Sequence, residues 1–201
     1  MDQHPSQASA LPPSPAAPDA GRAAPPPAAS RLLPVARRYR TLRLVLIKPS
    51  KYDDDGYVVR FWKGVLPSNT LNVLHGLSLD VARRGLLGDV ALRVDTFDET
   101  TEKVRVGRIA SWARARDTKL VVCLVGVQTN QFPRALDLGR EFRARGIDVL
   151  MGGFHTSGTI NMLSAEEPDI QTLFREGIVV VSGEVEGHWD AILRDVLNGD
   201  A

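Results

Sequence analysis

From residue 42 onwards the apolar positions of this chain switch repeatedly between short continuous runs and a helical spacing. Leu42-Arg-Leu-Val-Leu-Ile-Lys48 is a branched apolar run stopped by Pro49, and it predicts a buried first strand. Residues 49–67 are a long polar segment around Asp53-Asp54-Asp55-Gly56. A helix is then expected from a cap at Ser68 or Asn69 to about Arg84, with Leu71, Leu74, Leu77 and Val81 on one side and Gly85 and Gly88 at its end. Val90 to Phe97 alternates and predicts a second strand, and Val106, Ile109, Ala110 and Ala113 have the spacing of a second helix. Lys119-Leu-Val-Val-Cys-Leu-Val-Gly126 is the most apolar run and predicts a central strand covered on both faces. Ala135, Leu138, Gly139 and Phe142 set the inner stripe of a third helix, with Arg134, Asp137, Arg140, Glu141 and Arg143 outside and Gly146 as its stop. Ile147 to Met151 predicts a fourth strand ended by Gly152-Gly153, followed by a broken helical stretch over about 159–176. Ile178-Val-Val-Val-Ser182 predicts a fifth strand ended by Gly183, and Trp189, Ile192, Leu193, Val196 and Leu197 line a last helix.

Strands alternating with helices predict an α/β fold, a Rossmann-like doubly wound sheet of about five parallel strands with helices on both faces. Ligands of such sheets bind outside the carboxyl ends of the strands, at the switch in strand order. The segments after Lys48, Phe97, Gly126, Met151 and Ser182 are therefore where a site is expected.

Composition narrows the picture. Nine of the 13 prolines lie in the first 34 positions, in a stretch otherwise dominated by small and polar residues. Such a stretch buries too little surface to offset its ordering entropy, so residues 1–38 are expected to be a disordered Pro/Ala-rich tail and 39–201 a single domain. The 201 residues carry 25 basic and 24 acidic side chains, a net charge of +1. That near-neutral balance predicts no nucleic-acid or membrane partner. With no apolar run long enough to span a bilayer and no secretory leader pattern, a cytoplasmic location is expected. One cysteine rules out an internal disulfide, a multi-cysteine zinc site and an iron–sulfur cluster.

The expected binding edge lacks the standard nucleotide motifs: no P-loop, no G-x-G-x-x-G after the first strand and no G-x-S-x-G elbow. Glycines and neutral amides form it instead. Gly152-Gly153 removes two β-carbons at a strand end, which suits either a tight turn or the close approach of a ligand. Glu184 can accept N–H bonds from a neighbouring loop or serve as a helix-start carboxylate. His155 reads as a loop residue, and His75, His155 and His188 are not spaced as a metal set. Cys123, inside the apolar run, reads as a small core residue. Asp53, Asp54 and Asp55 read as a solvated turn or, in an independent enzyme, as acidic candidates. Tyr57, Phe61 and Trp62 could cover a ligand face, meet a partner, or pack back onto the sheet.

Taken together, Val125-Gly-Val-Gln-Thr-Asn-Gln-Phe-Pro-Arg-Ala135, Met151-Gly-Gly-Phe-His-Thr-Ser-Gly158 and Ser182-Gly-Glu-Val-Glu186 resemble the cobalamin-binding-like domain that precedes the catalytic barrel of many radical S-adenosylmethionine proteins. The resemblance spans about 42–197. It implies cobalamin as cofactor, held over the carboxyl ends of the strands with its nucleotide tail between sheet and helices. By that analogy Gly126, Gln128 and Thr129 line the tail, Gly152 and Gly153 give it room beside His155, and Gly183 and Glu184 flank it, while residues 49–64 face the corrin ring. The Asp-x-His-x-x-Gly loop whose histidine ligates cobalt in the mutases is not here: Lys48-Pro-Ser-Lys-Tyr-Asp-Asp-Asp-Gly56 has no His, so no metal ligand is expected. The family's C-x-x-x-C-x-x-C motif is also impossible with one cysteine. A radical S-adenosylmethionine catalytic partner is thereby implied, and no catalysis by this chain alone. Two other readings stand beside this one: a domain of the same fold that has lost the corrinoid and positions substrates or partners, and an independent transferase.

Overall fold

A computed structural model describes residues 39–62 and 68–199. The tail expected over 1–38 lies outside the described residues. Five strands form one all-parallel sheet in the order β2-β1-β3-β4-β5: β1 Thr41–Lys48, β2 Ala91–Asp98, β3 Thr118–Leu124, β4 Asp148–Gly152 and β5 Val179–Val181. Six α-helices among the described residues flank it: α1 Asn69–Arg83, α2 Val106–Ser111, α3 Phe132–Arg143, α4 Phe154–Met162, α5 Pro168–Arg175 and, after the last strand, α6 Trp189–Asn198. The expected doubly wound α/β fold is the one observed.

The two faces follow from strand alternation. Leu42, Leu44 and Leu46 of β1 join Val121 and Cys123 of β3 in a core with Leu71, Leu74 and Val81 of α1 and Trp189, Leu193 and Val196 of α6. Val45 and Ile47 point the other way, with Val122 and Leu124, against Ile109 of α2, Leu138 and Phe142 of α3, and Ile170 and Leu173 of α5. Each strand thus contributes to two cores, and β1 and β3 are apolar on both faces because both are covered.

Local signals fix most boundaries. The Ser68 hydroxyl accepts the Leu71 N–H at 3.3 Å and caps α1. Pro133 and Pro168 stand at helix starts, where a missing N–H costs nothing. The broken helical stretch expected over about 159–176 is two helices, α4 and α5, and the first begins five residues earlier, at Phe154. The glycine pair is therefore a strand-to-helix turn. Gly153 caps α4 with φ 146° and ψ −171°, a backbone state open only to glycine.

Candidate functional site

Between α1 and α6, over the carboxyl ends of β3, β4 and β5, lies a cavity of about 430 Å³. Its size falls in the range of small-molecule sites. Thr70, Val73 and Leu74 of α1 form one wall, and Val185, Glu186 and Trp189 the other. Cys123, Val125, Leu150 and Val181 form the apolar floor. The α6 wall is anchored by a buried relay: the Trp189 indole N–H donates to Ser78 Oγ at 2.8 Å, and Ser78 Oγ donates to the Leu74 carbonyl at 2.7 Å.

Six of the eight sequence candidates line this cavity: Gly126, Gln128, Gly152, Gly153, Gly183 and Glu184. Gln128 starts the short 3-10 turn Thr129–Gln131 that leads into α3, and Gln131 Oε1 accepts its N–H at 3.0 Å. The glycines act chiefly on the protein itself. A Cβ on Gly153 would stand 2.2 Å from the Val127 nitrogen, and one on Gly152 would stand 3.1 Å from the Val181 carbonyl oxygen. Here the missing side chains let the β3, β4 and β5 ends close on one another, sealed by Val127 N–H to Gly152 O and His155 N–H to Val127 O. Glu184 is exposed and has no hydrogen-bond or ion-pair partner among the described residues, and α6 starts only at Trp189, so it neither accepts from a described loop nor stands at a helix start.

Thr129 and His155 do not line the cavity; they meet each other beside it. His155 is buried against Phe132, with Nδ1 3.4 Å from Thr129 Oγ1 and Nε2 3.0 Å from Asp169 Oδ2. It ties α4 to α5 and to the start of α3. Cys123 is buried as expected, and loss of solvation pushes its thiol up to about 12, which keeps it un-ionised. Among the described residues no group of three or more His, Cys, Asp or Glu could hold a metal ion.

The cavity does not sit at the strand-order reversal between β1 and β3. The chain fills that place with its own side chains. Glu99, after β2, is fully buried and accepts from Arg134 of α3, Nε at 3.1 Å and Nη2 at 2.6 Å, and from the Ser50 N–H at 3.1 Å. Arg134 also donates to Tyr52 Oη at 3.4 Å, and Tyr52 donates to Asp137 at 2.7 Å. Burial opposes the charge on Arg134, but the hydrogen bonds to Glu99 and Tyr52 outweigh it and hold the pKa above its ordinary value. Burial, then the bond to Asp137, raises that of Tyr52. Helical spacing placed Arg134 on the outer face. The structure corrects this: its side chain is only 13% exposed, because Arg134 lies in the first turn, where α3 passes under the β1 and β2 loops.

This network anchors the first loop. Tyr52 and Val58 form an antiparallel bridge, and Asp53 Oδ1 accepts the N–H groups of Asp55 and Tyr57. The three aspartates are thus the turn of a small hairpin closed by Gly56 at φ 84°. Tyr57, Phe61 and Trp62 do not pack back onto the sheet: they are exposed, Trp62 to 95%. No helix among the described residues is long and apolar enough to cross a membrane. The sequence matches no protein-family model, and no curated protein matches it.

Proposed function

We propose that the folded part of this chain is a cobalamin-binding-like module that works in the cytoplasm with a separate radical S-adenosylmethionine catalytic protein. The observation that carries this reading is the cavity over the ends of β3, β4 and β5. It is open at the carboxyl edge of the sheet, apolar on its floor and flanked by α1 and α6. That shape suits a slender group inserted edge-on between sheet and helices, as the nucleotide tail of a corrinoid would be. The Gln128 side chain, the peptide groups at Gly126 and the Gly183 carbonyl would supply its polar contacts. A bound corrinoid would bring cobalt-centred methyl or electron transfer. The chain's own part would be to hold the tail, exclude water from the floor, and present Tyr57, Phe61 and Trp62 towards the ring. No histidine lies between Lys48 and Trp62, so this loop gives cobalt no imidazole.

Titration of the purified full chain with hydroxocobalamin and methylcobalamin, followed by visible absorbance and calorimetry, tests this reading. One saturable site is expected. Val73→Trp narrows the cavity mouth from an exposed helical position. It should weaken binding about tenfold or more. Trp62→Ala should weaken binding with little loss of stability. Folded protein that binds no cobalamin form would sink the proposal.

That outcome would favour the second reading, a module of the same fold that recognises a partner without corrinoid. The exposed aromatics on a loop without histidine favour it specifically.

A further inference from the structure

We propose that β2 is a self-complementary edge, through which two copies of this chain pair antiparallel about Val94 to join their sheets. β2 borders the sheet and pairs only with β1. The Ala91 N–H donates to the Arg40 carbonyl and the Glu99 N–H to the Lys48 carbonyl. In a parallel ladder this phase makes the odd residues of β2 bond inward to β1, and turns the N–H and C=O of Leu92, Val94, Thr96 and Asp98 outward. The Asp98 N–H is taken by Glu102 Oε1 at 3.3 Å. No described residue bonds the outward groups of Leu92, Val94 or Thr96. An edge of this kind is a template for another strand; it has no proline, lysine or bulge, and its charges, Arg93, Asp95 and Asp98, are of both signs.

The sequence of the edge says which strand fits. A two-fold axis at Val94 sets Val94 opposite Val94 and Leu92 opposite Thr96, so the three outward residues of each copy meet as hydrogen-bonded pairs. The same register sets Arg93 opposite Asp95, twice, in the closer non-hydrogen-bonded positions, where opposite charges attract most. Arg93 is exposed and has no partner among the described residues. Asp95 already accepts from Arg43 Nε at 2.8 Å on the same face, so it is oriented before a partner arrives. Ala91 faces Phe97 across the pair, a small residue against a large one. A shift of one residue along the edge would oppose outward groups to inward ones, and a shift of two would lose the charge pairs. The occupant that matches the hydrogen-bond phase and the charge pattern together is a second copy of the chain.

Sedimentation and light scattering of the full chain across a concentration series test this, together with amide exchange at Leu92, Val94 and Thr96. A dimer is expected at high concentration, weaker in high salt, with those three amides slowing as it forms. Arg93→Glu sets like charges opposite one another in both pairs, and it should raise the dissociation constant about tenfold or more without altering monomer stability. Val94→Pro removes one outward N–H and leaves the β1 ladder intact, so it should also abolish pairing. A monomer at every concentration overturns the proposal, including one whose edge amides are already slow because a segment of the same chain covers them. So does a dimer indifferent to Arg93→Glu, whether or not Val94→Pro folds.

Discussion

At the scale of residues, the most consequential contact is the one between Glu99 and Arg134. A fully buried carboxylate survives because it meets a guanidinium in a forked geometry and a backbone N–H at once. Removing one partner leaves the other charge buried and alone. Glu99→Gln is therefore expected to cost about 3 kcal/mol or more in denaturant unfolding. It should also release the first loop, read as faster proteolysis at Lys51 and Arg60. A mutant as stable and as protease-resistant as the parent would show that the pair anchors nothing. Nothing in the sequence marks these two residues, which are 35 positions apart. Glu99 stands in a polar connection and Arg134 in a row of helical charges, and neither setting distinguishes a buried ion from a solvated one. The same holds for Ser78 and Trp189, paired across 111 positions at the wall of the cavity. By contrast, Cys123 was legible, because an apolar run on both sides of a thiol leaves it little choice but the core.

At the scale of elements, strands and helices stand almost where their own periodicity and their glycine and proline punctuation put them. The start of α4 is the exception. Phe154 to Met162 has no strong apolar stripe: His155 and Thr156 are its buried residues, and Phe154 and Met162 are exposed. A helix held by a glycine cap and by His155, rather than by an amphipathic face, gives periodicity little to detect. The β3–β4 pair carries a pH dependence of its own. Asp148 lies beside Lys119 and Arg143. Burial works against its charge, but the hydrogen bonds and fields of those two cations prevail and hold its pKa below the ordinary carboxylate value. A depressed folded pKa means stabilisation that is complete above the unfolded value, about 4, and lost as the pH falls through the folded one. Asp148→Asn should accordingly flatten the loss of thermal stability on acidification below about pH 4. An unchanged acid limb would contradict this.

At the scale of the molecule, the sheet concentrates burial in its middle. Val45, Leu46, Val122 and Leu124 are buried completely, while β5 is three half-buried residues at one border. Amide exchange in β1 and β3 should therefore require global unfolding, and β5 should open at lower free energy. Equal protection across the five strands would argue against such graded stability. The cavity spans the two regions, over the ends of β3, β4 and β5 and between two helices that both pack on one face.

What the sequence determined by itself was local and periodic: which segments are strands and helices, that they alternate, and hence that the sheet is parallel and doubly wound with glycine-rich strand ends along one edge. Those properties depend on residues near one another in the chain. The tertiary structure alone decided which of these ends surround the cavity, that Thr129 and His155 turn away from it, and that Glu99 and Arg134 fill the place where the strand order reverses. The physical reason is that burial and pairing of polar groups depend on what the fold brings alongside them, and those neighbours are tens of residues distant in sequence.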